Sequence, residues 1–219
     1  MRPISNFKSI VYLALLSILL SSCIAVKYHD YADLDKVFAV EIIQRLKSDT
    51  LLIVVPSFHK KETLLKYISR RGNKDRKNNK QRLLNLYAER QILQEALIKS
   101  FQNNYTFSSY LFIPDSLVYN LESGVKGKYF LDNGLKIDPS ITYTNSNPIK
   151  LVQQFDQEWQ IKIGNKIIPN PFPNYYVYRN GLYGFLGQEP YEKMYARVAT
   201  TFQKRFDQFY NNPDRRIYL

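Results

Sequence analysis

The chain is poor in the residues that build disulfides and metal centres. It has one cysteine and two histidines among 219 residues, which excludes an intrachain disulfide and a zinc site with three histidine ligands. HExxH, GxSxG and Gly-rich phosphate-binding motifs do not occur. Three glycines spaced by three, Gly181, Gly184 and Gly187, stand in an aromatic stretch and predict a flexible turn. We therefore expect no metal, no cofactor and no catalytic motif.

Long apolar runs are also scarce, and the clearest one lies near the start of the chain. Arg2 and Lys8 precede an uncharged run over residues 9–26 that begins SIVYLALLSILL. A basic start, about a dozen apolar residues and small residues at the end are typical of a secretory signal peptide. The alternative is an uncleaved membrane anchor, but the run is shorter than the roughly 20 apolar residues of a spanning helix.

This run ends at Leu20-Ser21-Ser22-Cys23, which resembles the lipobox of bacterial lipoproteins: an aliphatic residue, two small residues and a cysteine. The resemblance implies cleavage before Cys23, acylation of its thiol and attachment to membrane lipid. The alternative is an ordinary buried thiol. Residues 24–27 lack the aspartate that retains lipoproteins in the inner membrane, so the resemblance implies the periplasmic face of the outer membrane. We expect a signal peptide over 1–22, a lipidated tether over 23–32 and a single domain over 33–219.

The first half of that domain predicts a strand between helices. Asp33 is a suitable N-cap for a helix to Lys47, although the run over residues 37–40 could form a strand instead. Residues 50–56 are aliphatic, β-branched and closed by proline, as in a buried central strand. Ser57 can cap a following helix that runs to Arg71 and stops at Gly72.

A second, longer helix is predicted to begin at the cap Asn78 or Asn79 and to end near Phe101. Its apolar positions share one face, and they are Leu86, Leu93, Leu97 and Phe101. Asn103-Asn104 predicts the break, and residues 105–114 predict the next strand.

The remainder predicts hairpins and a final helix. Asp132-Asn133-Gly134 between apolar runs is typical of a hairpin turn, and residues 158–163 and 175–178 predict further strands. Residues 190–210 predict a helix with one apolar face, made of Met194, Val198, Phe202, Phe206 and Phe209. The predicted fold is a mixed α/β domain with a central sheet, a long basic helical hairpin after the first strand and a C-terminal helix. The succession of these segments, with PFPNYYV at residues 171–177, resembles a group of Bacteroidota lipoproteins without assigned activity.

Ser57-Phe58-His59-Lys60 matches the Ser-x-x-Lys pattern at the end of a strand. In penicillin-recognising enzymes a lysine one helical turn away can take the serine proton. The companion Ser-Asp-Asn and Lys-Thr-Gly elements are missing, and a capping serine before a basic helix explains the same residues.

Positive charge is the strongest indication of function. The net charge is +12, and residues 60–90 contain eleven basic residues against three acidic ones. The candidates for anion binding surround the turn of the hairpin, and they are Arg70, Arg71, Lys74, Arg76, Lys77, Lys80 and Arg82. Their partner could be anionic lipid, lipopolysaccharide, an acidic glycan or an envelope protein. The alternative is a solvated tip that keeps the chain soluble. Nucleic acid is not expected, because no binding motif accompanies the charge.

A second candidate surface is aromatic, and its members are Tyr175, Tyr176, Tyr178 and Tyr183. Outward tyrosines could stack on a glycan or dock a protein, whereas inward ones would close the core. The sequence thus favours a non-enzymatic envelope protein that binds or scaffolds at the outer membrane. The alternative is a binding module for an anionic glycan or lipid, and a third hypothesis is a hydrolase that uses Ser57 and Lys60.

Overall fold

The fold is organised around the aliphatic run that follows residue 49. The computed structural model describes residues 36–70, 76–125, 127–145, 147–154, 158–168, 175–176 and 189–213. Helix α1 (residues 36–48) leads into strand β1 (Thr50–Val55), as predicted. Ile42 and Leu46 of α1 are buried, whereas the predicted cap Asp33 lies outside the described residues.

Strand β1 is the centre of a six-stranded mixed sheet. The other strands are β2 (Ser109–Pro114), β3 (Ile149–Gln153), β4 (Glu158–Ile163), β5 (Lys166–Ile167) and β6 (Tyr175–Tyr176). The order is β2-β1-β3-β4-β5, and β6 also pairs with β4. Strands β1, β2 and β3 are parallel, while β4 is antiparallel to β3, β5 and β6. The predicted mixed α/β class with a central sheet is confirmed.

Both faces of β1 are buried, as its unbroken aliphatic sequence requires. Leu51, Ile53 and Val55 belong to the larger core, which the helices cover. Leu52 and Val54 belong to a smaller core with Ile113, Tyr129 and Phe130.

The hairpin consists of helices α2 (His59–Arg70) and α3 (Arg76–Asn104). The predicted inner stripe of α3 is confirmed, because Leu86, Leu93, Leu97 and Phe101 are all buried. Its predicted start is wrong, because Asn78 and Asn79 lie inside the helix. The predicted break at Asn103-Asn104 is confirmed, since Asn104 is the last residue of α3, and its side-chain amide donates to the Ser100 carbonyl at 2.8 Å.

Strand β2 begins four residues later than predicted, because Tyr105 and Phe107 are buried in the core instead. The amide N–H groups of Thr106 and Phe107 donate to Oε1 of Gln203, at 2.7 and 2.9 Å, and not to a neighbouring strand. The predicted β4 is confirmed with its bounds. Helix α4 (Asp115–Glu122) and strands β3 and β5 have no counterpart in the sequence prediction.

The predicted hairpin around Asp132 is reduced to a turn with isolated bridges. Leu131 bridges Phe112 on one side and Ile137 on the other. Oδ1 of Asp132 accepts the N–H groups of Gly134 and Lys136, both at 2.8 Å. The positive φ of 64° falls on Leu135 and not on the glycine, because the Asp132 side chain, rather than a two-residue glycine turn, closes the loop.

Helix α5 (Tyr191–Asn211) confirms the predicted C-terminal helix. Its predicted apolar face is buried throughout, at Met194, Val198, Phe202, Phe206 and Phe209. The helix packs against α3, with rings of Tyr105 and Phe107 around Phe206.

Candidate functional site

The basic hairpin is held together by one carboxylate. Glu62 on α2 accepts hydrogen bonds from Lys66 (Nζ to Oε1, 2.6 Å) and, across the hairpin, from Arg90 (Nη1 to Oε2, 2.9 Å) and Tyr87 (hydroxyl to Oε1, 3.0 Å). The Lys66 hydrogen bond is the main reason that the pKa of Glu62 lies below its ordinary value, with burial acting in the opposite direction. Two of the eleven basic residues therefore serve the internal structure of the hairpin.

The other described cations of the hairpin face solvent. Five are exposed, and none forms an ion pair or side-chain hydrogen bond with the residues that the structure describes: Lys60, Lys61, Lys77, Lys80 and Arg82. Of the remaining predicted anion-binding residues, Arg70 ends α2 and Arg76 begins α3, whereas Arg71 and Lys74 lie outside the described residues.

The start of α3 adds to this positive potential. Its first turn contains basic residues and no acidic one, although acidic side chains are the ones that stabilise a helix N-terminus. The first turn of α3 therefore adds no negative charge to this end of the hairpin.

Ser57 lies at the carboxyl edge of the sheet, where β1 and β2 end side by side. Asp115, the first residue of α4, accepts both the backbone N–H of Ser57 (3.1 Å) and its hydroxyl. The hydroxyl also accepts the N–H of His59, the first residue of α2, at 3.3 Å. Ser57 therefore caps α2 as predicted, although it lies one position earlier than the usual N-cap residue. Within the described chain, Ser57 and Lys60 share no hydrogen bond, so the arrangement of the lysine-activated serine is not formed.

The loop after β1 is clamped by α3. Gln94 donates to the Pro56 carbonyl at 2.8 Å, and Arg90 donates to the Ser57 carbonyl at 3.3 Å. No sequence pattern indicates a role for Glu62 or Arg90, and only the Pro-Asp pair after a predicted strand could have indicated Asp115. These contacts explain the loop as a structural junction between the sheet and the hairpin.

An open groove runs along the outer side of α2. It is lined by His59, Lys60, Thr63, Leu64 and Tyr67. Leu64 and Tyr67 are 57% and 50% exposed. The hairpin thus presents apolar side chains together with its cations.

A second cleft, of about 500 Å³, lies over the smaller core. Tyr129, Phe130 and Tyr143 line it, and the buried Tyr143 hydroxyl has no hydrogen-bond partner among the described residues. Burial, together with the nearby negative charge of Asp49, raises the pKa of Tyr143 to about 12, and Arg45 opposes this shift. Its hydroxyl is therefore neutral at physiological pH.

The aromatic candidates remain predictions. Tyr175 and Tyr176 form β6 opposite Trp159 and Glu158, but their side chains, and all of Tyr178, Tyr183 and the three regularly spaced glycines, lie outside the described residues. The predicted lipidation site Cys23 and the tether also lie outside them.

Among the described residues, no helix combines the length and apolar character that crossing a bilayer requires. Within the same ranges, no three His, Cys, Asp or Glu side chains are grouped as metal ligands. The chain matches no family model, no curated protein and no solved structure.

Proposed function

We propose that the protein is a lipid-anchored envelope protein that binds or scaffolds at the outer membrane, and that its α2–α3 hairpin contacts an anionic surface. The observation that carries the hairpin part of this proposal is that only some of the hairpin cations form contacts within the fold. Lys66 and Arg90 form ion pairs with Glu62. Five other cations are exposed and form no ion pair or side-chain hydrogen bond with the described residues: Lys60, Lys61, Lys77, Lys80 and Arg82.

Exposed cations contribute little to folding. Near an anionic membrane, however, each basic side chain contributes about 1 kcal/mol, so a cluster of this size would set the orientation of an anchored domain. The competing explanation is a solvated tip that only maintains solubility.

The anchor part of the proposal rests on the lipobox-like residues 20–23. Replacing Cys23 by serine removes the only thiol that can carry diacylglycerol. We expect cells that express Cys23→Ser to incorporate no labelled fatty acid into the protein and to release it from the membrane fraction. Unchanged labelling and unchanged membrane retention would refute lipidation.

The hairpin part is tested with a chain from residue 24 onward, which retains both core clusters because their members all lie within residues 39–209. This chain should bind vesicles that contain phosphatidylglycerol, or lipopolysaccharide. Binding should fall steeply with salt, because charges are screened beyond about 10 Å at 0.1 M. The variant Lys77→Gln, Lys80→Gln and Arg82→Gln should lose most of this binding and keep its melting temperature.

A matched control removes the same charge elsewhere. Lys99, Lys136 and Lys166 are exposed and lie on α3 beyond the hairpin tip, in the Asp132 turn and on β5. The triple glutamine variant at these positions should bind as the unmodified chain does. Equal losses in the two variants would refute a site at the hairpin, and salt-independent binding would refute its electrostatic basis.

A further inference from the structure

Helix α2 presents two large apolar side chains to solvent. Its inward side carries Glu62, which is bound to Tyr87 and Arg90 of α3. Its outward side carries Leu64 and Tyr67, which are half or more exposed. None of its residues 59–69 is fully buried. At least half of each of these two side chains therefore remains accessible to a partner.

The two exposed apolar residues share one strip of the helix with Lys60. Lys60, Leu64 and Tyr67 are spaced by four and three residues, so they share one face of a helix with 3.6 residues per turn. Glu62 is two residues from Leu64 and therefore lies on roughly the opposite side. This strip lines the open groove together with Thr63 and His59. Lys60 and Lys61 supply exposed cations beside the apolar side chains.

We propose that this outer face of α2 inserts Leu64 and Tyr67 into the headgroup region of an anionic lipid bilayer. The inference rests on the proposed function and names the surface that the hairpin contacts. Helices that lie in a membrane interface combine basic residues with apolar and aromatic ones, and tyrosine is enriched at that depth. An acidic glycan would attract the same cations, but it offers no apolar phase for Leu64.

The length of chain before the fold places a bilayer within reach. From the predicted anchor Cys23 to the start of α1 at residue 36, an extended chain spans at most roughly 45 Å. Helix α3, with 29 residues, is itself about 43 Å long. An anchored domain would therefore bring the hairpin repeatedly to the membrane that holds it.

The experiment uses the full chain, reconstituted in vesicles by its own anchor. Tyr67→Trp introduces an indole on the outer face of α2, and the unmodified chain supplies the background of Trp159, which is fully buried. In vesicles that mix phosphatidylcholine with phosphatidylglycerol, acyl-chain brominated lipids should quench the added fluorescence at least twofold. In phosphatidylcholine alone the quenching should be much weaker. Leu64→Ser in the Tyr67→Trp chain should reduce the quenching severalfold.

Ile92→Trp is the matched control. Ile92 is 52% exposed on α3, and it is two residues from Arg90, which places it on the side of α3 away from α2. The Ile92→Trp chain should show no quenching that depends on phosphatidylglycerol. Equal quenching at the two positions would overturn the proposal, because mere proximity to the vesicle would explain it.

Two further outcomes separate this inference from the function on which it rests. If Tyr67→Trp is not quenched but the triple glutamine variant at Lys77, Lys80 and Arg82 still loses vesicle binding, insertion is overturned and the electrostatic contact stands. If quenching persists in that triple variant and at high salt, insertion stands and the electrostatic contact fails. A blue shift without quenching that grows with protein density would indicate a second copy on this face and would overturn insertion.

Discussion

Helices α2 and α5 contain similar kinds of residues and use them in opposite ways. In α5 eight residues are buried, among them Phe202 and Phe206. In α2 no residue between 59 and 69 is fully buried, and Leu64 and Tyr67 point to solvent. Across the contact between α2 and α3, Tyr87 and Arg90 donate hydrogen bonds to Glu62. One helix is therefore part of the core, and the other is a surface held in place by an ion-pair network.

The difference shows how polar contacts can help to hold a helix that has no fully buried residue between 59 and 69. The carboxylate of Glu62 is only 16% exposed, and its cation partners come from both helices. Such a network positions α2 on α3 while Leu64 and Tyr67 stay at least half exposed. The following substitutions test this contrast, beginning with the largest expected effect.

Because α5 belongs to the core, Phe206→Ala should cause a large loss of stability. Phe206 is fully buried against Tyr105 and Phe107, with ring centroids 6.1 and 5.3 Å away. Removing it should lower the free energy of unfolding by about 3–5 kcal/mol, measured by urea denaturation. The control Tyr210→Ala, on the same helix but 42% exposed, should cost much less. Similar losses would show that α5 is not anchored through its inner face.

Because Glu62 joins α2 to α3, Glu62→Gln should lower the free energy of unfolding by about 1–2 kcal/mol, since hydrogen bonds from two cations are weakened. The control Glu95→Gln changes an exposed residue of α3 whose one side-chain hydrogen bond with the described residues comes from Gln91, at 2.8 Å. This control should change the free energy of unfolding by no more than about 0.5 kcal/mol. A loss from Glu95→Gln as large as that from Glu62→Gln would contradict a specific clamp.

The loss of stability in Glu62→Gln should depend on pH. The pKa of Glu62 is lower in the folded chain than its ordinary value of 4.5. Its contribution is therefore complete above about pH 4.5 and is lost as the pH falls through the folded pKa. The difference in unfolding free energy between the unmodified chain and Glu62→Gln should narrow as the pH drops below that value. A difference that is constant from neutral pH into this acidic range would exclude the ionised carboxylate as its cause.

A substitution on the outer face of α2 should have the smallest effect on stability. Leu64→Ala should change the free energy of unfolding by no more than about 0.5 kcal/mol, since the side chain is largely exposed. Leu97→Ala, at a fully buried position of α3, should cost about 2–5 kcal/mol. Thermal or urea unfolding distinguishes the two, and a substantial loss at Leu64 would mean that α2 packs more closely than its exposure indicates.

The elements with strong internal patterns were predictable. Strand β1 and helix α5 appear almost where their aliphatic run and apolar periodicity place them, and β4 has the predicted bounds. Strand β3 was not predicted, because the charged Lys150 interrupts the apolar pattern. In the fold this lysine is buried, and its ammonium binds Glu122 and donates to the Gly164 carbonyl at 3.1 Å. Such a compensating partner, 28 residues away, leaves no local signal.

The sequence by itself determined the mixed α/β class, the inner faces of α3 and α5, and the concentration of positive charge between residues 60 and 90. These follow from periodicity and composition, which are local properties of a chain. The tertiary structure decided which of those charges are used inside the fold and which remain exposed. It also placed Asp115 beside Ser57 and turned Leu64 and Tyr67 outward. These outcomes depend on contacts between residues distant in sequence, such as Glu62 with Arg90, and those contacts exist only once the sheet has positioned the helices.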